Sequence, residues 1–256
     1  MGLGHWELWG AVGWLVVILV PLWFMKRWIG QHLQGLGLLL TGSPDLAVLL
    51  YFLILLPGIV VHELSHWLTA RLLGVPAGGI TLWPRTRRGR LSLGSVRVAR
   101  VDPLRNSLIG VAPLVAGSLF IVFIGERILG TGQLGEAVLW GRWSLLGERL
   151  WALRQVPDFW LWLYLIFALS NAMLPSASDR EPWRPVLIFL GAVGATMLLM
   201  GGVPQVPPAL SDLFLRAVGY LAYAFTLTVA VDAVFMALIW AMETAVGWLT
   251  GRRVEY

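Results

Sequence analysis

The chain has 256 residues, 58% of them hydrophobic and only 13% charged, with 15 Trp and a net charge of +5. Water-soluble domains carry about 45–50% apolar and about 25% charged residues, so this balance belongs to a chain solvated mostly by lipid and excludes a secreted or cytosolic globule. The absence of Cys removes disulfides, thiolate nucleophiles and thiolate metal ligands, so any bound metal must rest on His and carboxylates.

Nineteen residues are basic and all but Lys26 are Arg, clustered beside apolar segments. That is how a membrane protein fixes its orientation in the bilayer, not a nucleic-acid-binding pattern. A spanning helix needs roughly 20 mostly apolar residues. Such windows fall near 8–25, 46–73, 106–125, 159–178, 184–202 and 217–249, which predicts an all-α polytopic fold with about six spans in a single integral-membrane domain, 1–256. The first window has neither a basic leader nor a small-residue cleavage site and reads as a retained anchor, bracketed by Trp6 and Trp9 at one end and Trp23 and Trp28 at the other. Gly-rich residues 30–42 suggest a short re-entrant piece.

Two connections carry patterns of their own. In residues 78–101, Ile80 and Leu82, then Leu91 and Leu93, then Val96 and Val98 alternate with small or polar residues. This predicts a β-hairpin after the second span, turning in 84–89, with a bulge where the phase slips at Gly94. In residues 136–155, Leu139, Trp143, Leu146, Leu150 and Leu153 recur at helical spacing with Arg142, Arg149 and Arg154 between them, which predicts an amphipathic helix on the membrane surface. The 75–105 segment holds Arg85, Arg87, Arg88, Arg90, Arg97, Arg100 and Arg105 against Asp102 alone, which places it in the cytosol. Alternating six spans from there puts both termini on the cytosolic side. A prokaryotic cell membrane is the expected setting.

The second span contains His62-Glu63-Leu64-Ser65-His66, a His-Glu-x-x-His pattern. On a helix the two His stand one turn apart on one face, about 6 Å along the axis, so both imidazoles can reach one metal ion. Glu63 lies beside them, placed to take a proton from a water activated by the metal. Chance alone gives roughly 0.002 matches to this pattern at this composition. A buried polar cluster that merely ties helices together is the alternative, although ionisable groups inside a span usually mark function. Catalytic zinc usually has three protein ligands. The third is expected to be a carboxylate, with Asp179 the best candidate because its depth at the end of the fourth span matches that of His62 and His66. Glu126, Glu136, Glu148 and Glu243 are the alternatives. Asp232 and Glu243, both unusual in lipid, could instead line a water or ion path, which leaves a metal transporter or a non-hydrolytic metal-binding scaffold open.

With these residues the chain resembles the site-2 protease family of intramembrane zinc metalloproteases. That family pairs His-Glu-x-x-His on one span with a later Asn…Pro…Asp-Gly motif whose Asn lies eight residues before its Asp. Asn171 and Asp179 have that spacing. Pro175 falls one position later than the family's proline and Arg180 replaces its Gly, so a divergent, minimal core is implied, covering roughly 46–180 and lacking a PDZ-like domain. The resemblance implies one zinc ion held by His62, His66 and Asp179, Glu63 as general base, and Asn171 orienting the scissile peptide or its oxyanion. It further implies a membrane-protein substrate, cut within or near a spanning segment close to the cytosolic side. The hairpin edge would then pair with the substrate's unwound segment, the alternative being a basic loop that only fixes topology.

Overall fold

The computed structural model describes residues 5–87, 90–132, 134, 142–199, 207–252 and 254. Helix α1 (His5–Thr41) and helix α2 (Pro44–Leu72) are joined by a two-residue break. Four short strands follow: β1 (Ala77–Thr81), β2 (Arg85–Arg87), β3 (Arg90–Ser92) and β4 (Ser95–Val98). Helix α3 (Pro103–Phe123) runs directly into a π-helical turn, Ile124–Leu129. The remaining helices are α4 (Trp143–Leu153), α5 (Phe159–Met173), the single turn α6 (Ala177–Arg180), α7 (Trp183–Leu199) and α8 (Pro208–Thr250).

The boundaries follow from local chemistry. Pro44, Pro103 and Pro208 each occupy the first turn of their helix, where a missing N–H costs nothing. Asp102 caps α3 by accepting the Arg105 backbone N–H at 3.0 Å. Pro175 ends α5: the residue before a proline avoids the helical region, and Leu174 is extended at φ −68°, ψ 129°.

Among the described residues, four stretches are long and apolar enough to cross a membrane: Val12–Thr41, Pro44–Leu72, Pro103–Leu129 and Ala209–Thr250. Helix α5 and the segment Ala177–Thr196 make a fifth candidate only as a pair, bent by 57° at the Pro175 break. The expected fourth and fifth spans thus meet at one sharp bend, and among the described residues the candidates number four, or five with the bent pair taken as one, where six are expected. Helix orientation agrees. Trp14 donates to Thr226, His32 meets Glu243, and Gly42 lies beside Arg252, so α1 and α8 run parallel. A first and a sixth span would be antiparallel. Parallel packing puts the start of α1 and the end of α8 at opposite ends of the pair.

Residues 30–42 form no re-entrant piece; they continue α1. Glycine there serves packing, since a Cβ on Gly37 would meet the Ala47 backbone at 3.0 Å. The amphipathic helix is present as Trp143–Leu153, while 136–141 lie outside the described residues.

The hairpin exists, with differences from the expected register. β1 pairs with β4 (Ala77 with Val98, Ile80 with Val96) and β2 with β3 (Arg85 with Ser92), both antiparallel. Arg85–Arg87, expected in the turn, are strand residues, as is Arg90, and 88–89 lie outside the described residues. The irregularity falls between Ala77 and Ile80, at Gly78-Gly79, and Gly94 lies in the break between β3 and β4. Val96 and Val98 are half-buried and alternate with exposed Ser95 and Arg97, whereas Ile80 and Leu82 of the same pattern are exposed. Val75, Ala70 and Ile109 seat this β segment on the adjoining ends of α2 and α3.

The main core sits where α1, α2, α3, α5 and α8 meet, around Ile29, Leu55, Ile121, Ile166 and Phe167, with Phe167 stacked on Phe235 at 4.2 Å. Elsewhere the helices expose large apolar side chains, among them Leu187, Ile188, Phe189 and Leu190 in succession on α7. Such surface is stable in lipid and would be costly in water.

Candidate metal centre

His62 and His66 lie on one face of α2, and Asp179 reaches them from α6. Their Nε2 atoms are 3.2 Å apart. Asp179 Oδ1 is 3.3 Å from His66 Nε2, and Oδ2 is 3.8 Å from His62 Nε2. One ligand atom from each residue falls within 4.8 Å of the others. The match in depth expected between Asp179 and the two His is therefore present.

Each ligand is held from behind. His62 Nδ1 donates to the Ala172 carbonyl of α5 at 2.8 Å, and His66 Nδ1 donates to the Ile109 carbonyl of α3 at 2.8 Å. With Nδ1–H committed to a carbonyl, the neutral imidazole presents the Nε2 lone pair, and this is the orienting contact that metal-bound His ordinarily makes. Asp179 is fixed by the cap of its own turn. Ser176 N and Ser176 Oγ donate to Oδ2 at 2.8 and 2.5 Å, and the Asp179 N–H donates back to Ser176 Oγ at 3.3 Å.

Two imidazole lone pairs and a carboxylate oxygen thus converge on one point, and they repel each other unless a proton or a cation lies among them. The residues fit a divalent ion on that ground. The donor set favours an imidazole-seeking metal over Ca2+ or Mg2+, which take oxygen shells.

Close helix approach makes this geometry possible. A Cβ on Gly58 would run into the Ala168 carbonyl, and one on Gly110 would run into the Asp179 carbonyl. These two glycines let α5 and α6 reach α2 and α3 at backbone distance, as small residues do in membrane bundles.

Glu63 follows His62 and is 7% exposed. The β3–β4 break lies directly on it, such that a Cβ on Gly94 would stand 2.7 Å from Glu63 Oε1. The strand segment therefore forms one wall of the centre. Leu93, next to Gly94, packs against the main core.

Asn171 is on α5, one residue from the Ala172 carbonyl that holds His62. Its Nδ2 donates to Phe167 O at 2.9 Å and to Asp232 Oδ1 at 3.2 Å. Asp232 is 3% exposed and also accepts from Ser170 Oγ at 3.1 Å. Lys26, on α1, lies within electrostatic range of both Asp232 and Asp179. Glu243 instead pairs with His32 at 2.6 Å, with Trp28 stacked on the His32 ring. Asp232 and Glu243 are thus partnered separately. Neither joins the ligand group, nor does Glu126 or exposed Glu148, and Glu136 lies outside the described residues.

Three features escaped the sequence reading: the carbonyls of Ile109 and Ala172, the capping role of Ser176, and the Asp232–Asn171 contact. Of these only Ser176-x-x-Asp179 has a readable signature. Compared with known proteins, the chain matches no family model, no curated protein and no solved structure.

Proposed function

We propose that this protein is a zinc-dependent intramembrane endopeptidase that cuts a membrane-protein substrate within or near a spanning segment, as the resemblance to site-2 proteases implies. The observation that carries the reading is the convergence of His62, His66 and Asp179 beside a buried Glu63, among helices apolar enough to span a bilayer.

His62, His66 and Asp179 would hold the ion, their orientation set by Ala172, Ile109 and Ser176. Zinc bound there supplies Lewis acidity, which lowers the pKa of water to about 7 in such sites. Glu63 takes the proton of the attacking water and returns it to the leaving amine. Asn171 orients the peptide. The β segment supports extended peptide beside the centre, since peptide hydrolysis needs an unwound carbonyl that a helix keeps bonded. The Arg-rich segment around β2 to β4 supports a cytosolic setting for this end of the molecule.

Elemental analysis of the detergent-purified protein, its His62→Ala and Asp179→Ala variants and Glu63→Gln tests the reading. One zinc per chain is expected in the wild type and in Glu63→Gln, with loss in the two ligand variants. Glu63→Gln should abolish cleavage of membrane-protein substrates captured with it. A wild type without metal, or full cleavage by Glu63→Gln, overturns the proposal.

A further inference from the structure

Asn171 has two amide hydrogens, and both face acceptors inside the protein: the Phe167 carbonyl at 2.9 Å and Asp232 Oδ1 at 3.2 Å, with Ser170 Oγ at 3.4 Å from the same nitrogen. Turning the amide over would set its oxygen against a carbonyl and a carboxylate, so the hydrogen-bond network fixes the orientation. The buried Asp232 has no bulk water to satisfy it, which makes the Ser170 and Asn171 donors strong partners. What remains of Asn171 is its carbonyl oxygen, which accepts no hydrogen bond from the described residues.

We infer that Asp232 is a positioning residue: it commits the Asn171 amide hydrogens inward, so that Asn171 meets the substrate as an acceptor of a peptide N–H. The inference rests on the proposed peptidase reading and narrows it. An acceptor cannot stabilise an oxyanion, which needs donors. Asn171 therefore recognises the substrate's backbone, one residue along α5 from the carbonyl that orients His62, and the peptide position that it reads excludes proline.

The test uses the full-length, zinc-loaded protein in detergent and a peptidyl hydroxamate. Each peptide nitrogen is methylated in turn, and acetohydroxamate serves as a metal-only probe. In the wild type one N-methyl analogue should bind about tenfold more weakly than the parent, the value of one hydrogen bond of about 1.4 kcal/mol. Asp232→Leu should remove that discrimination while zinc content and acetohydroxamate affinity stay unchanged, and Asp232→Asn, which keeps an acceptor, should retain it. If Asp232→Leu does not fold, Asp232→Ala, which likewise removes the acceptor, should also remove the discrimination. Equal affinity for all analogues in the wild type, or persistence of the discrimination in a folded Asp232→Leu or Asp232→Ala, overturns the inference. A wild type that binds neither zinc nor acetohydroxamate overturns the peptidase reading, and this inference with it.

Discussion

Replacing Gly110 by alanine should weaken metal binding although residue 110 touches no ligand atom. The added Cβ would meet the Asp179 carbonyl oxygen well inside contact distance, with the Trp183 indole nitrogen 3.3 Å away on the same side. Restoring an ordinary carbon–oxygen separation takes roughly 1 Å, in a site where ligand distances must hold to about 0.2 Å. The helix gains about 1 kcal/mol in propensity from the change, and overpacking costs about 1–3 kcal/mol. Of the two elements pressed apart, α3 is clamped against α2 through the His66–Ile109 bond, whereas α6 is a single turn behind a proline break. Helix α6 gives way and carries Asp179 with it. Losing proper engagement of one of three ligands should lower zinc affinity at least tenfold, or about 1.4 kcal/mol. Competition against a chelator of known affinity reads this directly, with Gly219→Ala as the control because a Cβ there meets nothing within 4 Å. Unchanged zinc affinity in Gly110→Ala, with folding intact, would refute the view that close approach of α3 and α6 places the third ligand.

Ser176→Ala removes the hydroxyl donor from Asp179 Oδ2 and the helix cap together, while the backbone N–H of residue 176 stays. Loss of a cap of this kind costs about 1 kcal/mol, so zinc affinity should fall several-fold in the same competition assay, less than in Asp179→Ala. Gly94→Ala presses on the Glu63 carboxylate from the β3–β4 break. It should leave zinc stoichiometry at the wild-type value while turnover of a captured substrate drops, and equal turnover would show that the contact has no part in placing Glu63. Val96→Pro removes a backbone donor from the β1–β4 pair at the position opposite Ile80. Cleavage should suffer with metal content intact, whereas unchanged cleavage would leave the strands a topological device only.

The legible part of the site was the part written on one helix. His62, Glu63 and His66 follow from the 3.6-residue period alone. Asp179 is singled out among several carboxylates by its depth, with support from the spacing of the family resemblance, because its approach depends on a turn after Pro175 that no periodicity announces. The carbonyls of Ile109 and Ala172 have no side-chain signature: any residue at those positions offers the same oxygen, and only packing selects which one faces an imidazole. The same limit explains the span count. A hydropathy window of about 20 residues registers α5 and α7 as separate apolar runs and does not see the 57° bend between them at Pro175. Gly-rich 30–42 misled for a related reason. In water a cluster of glycines in a helix argues for a break, but between lipid-embedded helices it marks where backbones touch, as Gly37 does against Ala47.

The four elements that surround the candidate metal centre are bound to one another through it: α2 carries both imidazoles, α3 and α5 hold them by carbonyls, and α6 brings the carboxylate. Lipid offers little hydrophobic drive for helices to associate, so an ion among these ligands would act as a rivet, its binding energy shared by the whole assembly. A chain whose spans have docked out of register has no site to fill. In that sense the centre inspects its own assembly: an ion is held only after the helices have reached their final neighbours.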